Sequence, residues 1–130
     1  MLEVKIFTLY PELFPGPLDM GIYKKAKENK TWDLKVINIR DYSIDGRGSV
    51  DDTPFGGGSG MLLRPDIIAS ALDKNITPGE KIIYLSPKGK KFDQLEAKSI
   101  SKLNKINILC GHFEGIDQRL LETRNIEEYS

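Results

Sequence analysis

The sequence predicts an α/β domain built on a largely parallel sheet with helices on both faces. Short apolar runs alternate with segments of helical spacing along the chain, and runs such as KIIYL (81–85) and INIL (106–109) leave no polar side, as strands covered on both faces require. Size agrees: 130 residues fit one domain, able to bury roughly two thirds of its unfolded surface without a covalent staple.

The elements follow in order. Val4 to Tyr10 reads as a strand, and Pro17 or Leu18 to about Asn29 as a helix. Trp32 to about Arg40 reads as a second strand, with Leu34, Val36 and Ile39 as its apolar positions. From Asp41 to Gly60 there are six glycines and no apolar period, which predicts a long loop of the kind that is usually functional or disordered. Helical spacing resumes from Arg64 to Leu72: Pro65 suits a first helical position, and Ile67, Ile68, Ala71 and Leu72 supply one apolar face. Lys81 to Leu85 is the third strand. Asp93 as N-cap with Glu96 three residues on forms a capping-box pattern, opening a helix carried by Leu95, Ile100 and Leu103. Ile106 to Leu109 is a buried strand, Asp117 starts another helix, and Ile126 to Ser130 reads as a strand start that closes nothing, the mark of a fragment.

Composition excludes several classes. The lone Cys110 forms no internal disulfide, and one cysteine with one histidine, His112, makes no zinc site of the usual ligand count, so no metal is expected. A reducing, cytoplasmic setting fits. The N-terminus carries Glu3 and Pro11 and lacks a cleavage pattern, and no apolar run approaches a membrane span. Nineteen basic and nineteen acidic residues cancel, so net charge gives no argument for nucleic acid.

Three segments carry the candidate chemistry. CGHFEGIDQRLLE (110–122) places glycine turns, a carboxylate and a helix start after a buried strand, at the strand end where open α/β sheets bind ligands. In it Glu114 is an acceptor or base, Asp117 an N-cap, His112 more simply incidental, and Cys110 small apolar filling. Ser86, Pro87, Lys88 and Gly89 follow the third strand in the same way, Gly89 permitting a tight turn, while Lys88, Lys90 and Lys91 add positive charge or merely solvate the connection. The loop PFGGGSG (54–60) exposes main-chain N–H groups but fits neither a Walker nor a dinucleotide template; a flexible surface loop and a ligand-contacting loop are both open readings. Asp51 and Asp52 precede it and could bind a metal or an RNA-bound water, but read more simply as solvated acids.

Taken together, SVDDTPFGGGSGM, IYLSPKGKKFDQ and ILCGHFEGIDQR, with FTLYPELF near the N-terminus, closely resemble the bacterial tRNA (guanine-N1)-methyltransferases, the TrmD family within the SPOUT class. The resemblance implies methyl transfer from S-adenosylmethionine to N1 of the guanine 3′ of the anticodon, with the cofactor bent inside a trefoil knot of three loops. Tyr84, Leu85, Ser86, Pro87 and Gly89 match the first loop; Gly111 to Gly115 match the second, with Gly111 meeting the cofactor through its backbone and Glu114 in a supporting catalytic role. Pro54, Gly57, Gly58 and Gly60, with Asp51 and Asp52 ahead of them, match the segment bordering the methyl donor and the target guanine. A sulfonium methyl is electrophilic without a metal, so placement of donor and acceptor plus removal of the guanine N1 proton suffice.

The same resemblance implies a homodimeric active site. It further places the third loop, a general-base aspartate with its arginine, and a C-terminal helical domain beyond residue 130. The knot would then be begun and unfinished, and the segment alone would bind cofactor weakly and methylate nothing. His112, Phe113 and Gln118 stand where many members carry Arg, Tyr and Glu. The rival reading is a complete, non-catalytic α/β module binding a nucleotide or RNA.

Overall fold

A computed structural model describes residues 1–43, 51–52, 62–111 and 118–130. Its centre is a five-stranded sheet formed by β1 (Leu2–Thr8), β2 (Trp32–Asn38), β5 (Lys81–Lys90), β6 (Lys105–Leu109) and β7 (Ile126–Tyr129), in the order β2-β1-β6-β5-β7. Every pairing in it is parallel. Two further short strands, β3 (Asp51–Asp52) and β4 (Leu62–Leu63), make an antiparallel ribbon apart from this sheet. The helices are α1 (Gly21–Glu28), α2 (Pro65–Asn75), α3 (Gln94–Ser101) and α4 (Gln118–Thr123).

Parallel strands need crossover connections, and the helices that supply them cover both faces of the sheet. Alternation along each strand sorts the side chains. Phe7, Ile37, Ile82, Tyr84, Leu109 and Ile126 point to one face, packed with Ile67, Ile68, Ala71 and Leu72 of α2 and Leu120 and Leu121 of α4. Ile83, Ile106 and Tyr129 point to the other, against Ile100 of α3. Each fully buried Ile or Leu contributes about 1.5–3 kcal/mol relative to exposure, so the two layers dominate the fold's stability. Local signals agree with this packing: Pro65 occupies the first turn of α2, and the Asp93 carboxylate accepts from the Glu96 N–H at 2.9 Å, closing the N-terminus of α3.

Four expectations need correction. The first helix starts later than its apolar spacing suggests, because Gly16–Asp19 forms a separate 3-10 turn ahead of α1. Second, the glycine-rich stretch after β2 is not wholly irregular: Ile39–Tyr42 is a 3-10 turn, and β3 pairs with β4. Third, β5 does not stop at Leu85 but runs on to Lys90 through an irregularity. Finally, the end of the chain is not idle. β7 pairs with β5, and Tyr129 is fully buried.

Tyr129 is the peg that holds this edge. Its hydroxyl lies 2.8 Å from Glu127 Oε2 and 3.2 Å from Glu96 Oε2, the Lys81 and Lys90 ammoniums sit 5.6 and 5.3 Å from its ring centroid, and Phe92 meets it edge-on at 5.5 Å. Lys81 binds Glu127 at 2.8 Å, and this hydrogen bond holds the Glu127 carboxyl below its usual range. Burial alone would lower the Lys81 pKa, but the hydrogen bonds to Glu127 and Tyr129 and the attraction of their negative charge together outweigh it and leave the ammonium above its ordinary value. β5, β7 and α3 are thereby tied at one point.

Candidate functional site

Because all five strands run the same way, their carboxyl ends share one edge of the sheet, where a crevice for ligands forms in open α/β folds. Phe7, Leu109, Tyr84 and Glu128 stand in register across β1, β6, β5 and β7, forming the last full row before that edge. Past it the chain leaves the sheet at Leu9 and at Cys110 and Gly111, and stands out from it between Leu85 and Lys90. Cys110 N–H still donates to the Phe7 carbonyl at 2.9 Å, so Gly111 is held at the rim. Burial pushes the Cys110 thiol up, which suits packing and works against nucleophilic use.

Tyr84 and Gly111, from two separate motifs, meet here. A Cβ on Gly111 would lie 2.5 Å from Tyr84 Cε1 and 2.8 Å from its hydroxyl oxygen. Glycine is therefore required by the approach of an aromatic ring rather than by a left-handed turn. The Tyr84 phenol is mostly buried and its pKa is raised, first by that burial and then by the Glu128 carboxylate.

The Ser86–Gly89 segment is a loop set into a strand. Leu85 and Lys90 both pair with Tyr129, so the four residues between them stand out from the ladder, and Lys88 N–H closes on Ser86 Oγ at 3.1 Å. Ser130 N–H donates to the Lys90 carbonyl at 2.8 Å, and Phe92 N–H to the Ser130 carbonyl at 3.1 Å, which fixes the return stem. Gly89 was expected to permit a tight turn; its actual role is close packing, since a Cβ there would lie 2.5 Å from Tyr129 N and 2.6 Å from the Glu128 carbonyl carbon. Those atoms are backbone and cannot rotate away. Gly89→Ala is expected to cost about 1–3 kcal/mol through overpacking, seen as a lower midpoint in urea unfolding with an unchanged slope.

Of the residues singled out by sequence, Tyr84, Leu85, Ser86, Pro87, Gly89 and Gly111 lie at this edge. Asp51 and Asp52 form β3. Pro54, Gly57, Gly58, Gly60, His112, Glu114, Gly115 and Asp117 lie outside the described residues. Two neighbours at the edge, Arg40 and Glu128, had no motif to announce them. Arg40 donates from Nε to the Leu9 carbonyl at 3.3 Å and stacks 5.8 Å from the Tyr10 ring, just past β1; Glu128 adjoins Tyr84. The signal for each was positional: they lie at or just past strand ends. Clefts of about 580 Å³ beside Lys27 and Trp32, and about 400 Å³ beside Thr77 and Glu80, open instead at the amino ends of β2 and β5. A shallower groove of about 650 Å³ runs along α1 beside Ile22 and Lys25, so cavity size does not single out the carboxyl edge. No helix among the described residues is long and apolar enough to cross a membrane.

The fold and this edge define an open parallel α/β domain whose candidate ligand crevice is backed by closely packed glycines. More particularly, the chain belongs to the tRNA (Guanine-1)-methyltransferase TrmD family, whose model matches residues 2–130. It is 62% identical over 130 residues to a tRNA (guanine-N(1)-)-methyltransferase of Pelagibacter ubique (strain HTCC1062), covering all of this chain and 57% of that protein. Proteins of the same name from Alkaliphilus oremlandii (strain OhILAs) and Wolbachia pipientis subsp. Culex pipiens (strain wPip) are 46% and 43% identical, each match covering 98% of this chain and 54% and 56% of theirs. The chain thus spans about half the length of the curated relatives it matches.

Proposed function

We propose that this chain is the S-adenosylmethionine-binding SPOUT domain of a cytoplasmic, homodimeric tRNA methyltransferase that moves the sulfonium methyl to N1 of the guanine 3′ of the anticodon. The observation that carries the reading is the meeting of Tyr84 and Gly111 at the carboxyl ends of adjacent strands, in a chain that belongs to this family. The residues present suit the cofactor. Leu85 is 61% exposed at this edge and offers an apolar wall for adenine, while the main chain at Gly111 and along Ser86–Gly89 offers hydrogen bonds that need no side chain.

In this reading Glu114 and Gly115 complete the second cofactor loop, Glu114 in a supporting catalytic role. Asp51, Asp52, Pro54, Gly57, Gly58 and Gly60 border the target guanine. The same reading assigns the third cofactor loop and the aspartate that removes the N1 proton to residues other than 1–130.

Calorimetric titration of residues 1–130 with S-adenosylmethionine is expected to give a weak but saturable isotherm. Mass spectrometry of tRNA incubated with both is expected to show no N1-methylguanosine. Absence of any saturable binding would overturn the assignment of the cofactor site, and appearance of the modified base would overturn the placement of the general base outside these residues.

A further inference from the structure

β7 carries two adjacent glutamates, and strand alternation sends them to opposite faces of the sheet. Glu127 is committed to the fold through Lys81 and Tyr129. Glu128 stands opposite Tyr84 in the β5–β7 register, on the face that holds Leu109 and Phe7, one residue from the carboxyl edge. It is half-buried and, among the described residues, its carboxylate has no ion pair and accepts no hydrogen bond. The Tyr84 hydroxyl beside it likewise has no hydrogen-bond partner among them. A half-buried carboxylate next to an unpaired phenol keeps much of its desolvation cost until a donor or a cation arrives.

We infer that Glu128 is a ligand-contacting residue at this edge, receiving the cationic part of the cofactor, its sulfonium or its α-ammonium. The inference rests on the proposed S-adenosylmethionine site and adds to it a charge determinant that the glycine motifs do not contain. Main-chain hydrogen bonds and an apolar wall recognise adenosine; they do not distinguish a sulfonium from a thioether. A fixed negative charge does. Glu128 is suited to that task because its backbone is paired in a sheet, whereas a carboxylate on a loop must first be ordered.

The test compares wild type with Glu128→Gln, which keeps the shape and removes the charge, by calorimetry with three ligands. S-adenosylmethionine carries both cations, S-adenosylhomocysteine only the ammonium, and 5′-methylthioadenosine neither. Glu128→Gln is expected to weaken S-adenosylmethionine about five- to tenfold and to leave 5′-methylthioadenosine within about twofold, as for one partly desolvated charge contact. An equal loss for S-adenosylhomocysteine assigns the ammonium; no loss for it assigns the sulfonium. Unchanged affinity for S-adenosylmethionine, or an equal weakening of all three ligands, overturns the role. Failure of wild type to bind any of the three overturns the underlying cofactor site instead. Thermal melting of Glu128→Gln is expected to match wild type, because the carboxylate makes no contact that holds the described fold.

Discussion

Tyr129→Ala is expected to lose about 3–5 kcal/mol of stability, lowering the thermal midpoint by roughly 10–20 °C. The side chain is fully buried and gathers two carboxylates, two ammoniums and the Phe92 ring around one point of the edge strand. Removing the ring leaves a cavity against Ile83, Ile100 and Ile106 and takes the phenol from Glu96 and Glu127. Tyr129→Phe separates the two effects. It keeps the ring and its contacts with both lysines, and is expected to cost only about 1 kcal/mol, since Glu127 is partly exposed and can rehydrate. Denaturant unfolding of both variants checks this. Equal losses would place the stabilisation in the hydroxyl rather than in the ring.

Gly111→Ala is expected to weaken binding of S-adenosylmethionine at least about tenfold and to destabilise the domain by about 1–3 kcal/mol. The added methyl would stand 2.5 Å from Tyr84 Cε1, so either the ring or the rim of the crevice must move. Both belong to the proposed cofactor site. A double-mutant cycle isolates the cause: with Tyr84→Ala as background, Gly111→Ala is expected to cost little stability, because the space it needs is vacant. A cost that is the same in both backgrounds would show that Gly111 serves its own backbone and not the ring.

Much of this molecule was legible in the sequence, for identifiable reasons. Buried parallel strands must be apolar on both sides, so KIIYL and INIL declared themselves, and Pro65 and Asp93 marked helix starts because free N–H groups at those ends favour them. The sheet edge was legible too, since glycine-rich segments directly after apolar runs fall at strand ends. What escaped was long-range. The continuation of β5 to Lys90 depends on Tyr129, some forty positions along the chain, and no local pattern encodes that pairing. For the same reason the glycines at 89 and 111 look like turn residues in the sequence. A glycine needed for a close approach and one needed for a positive φ look alike until the neighbour is known. Glu128 was hidden in a charged pair whose members differ only in the direction they face.

The two-sided anchoring of Ser86–Gly89 bears on how a ligand would be met. A loop joining separate elements must be drawn into shape when something binds, and the lost freedom of backbone and side chains subtracts from affinity. Here the stems are stapled to the same residue before any ligand arrives, and Pro87 and the Ser86 hydroxyl narrow the remaining choices. The segment comes to the encounter already cast, so its recognition would be closer to a key meeting a cut lock than to a hand closing.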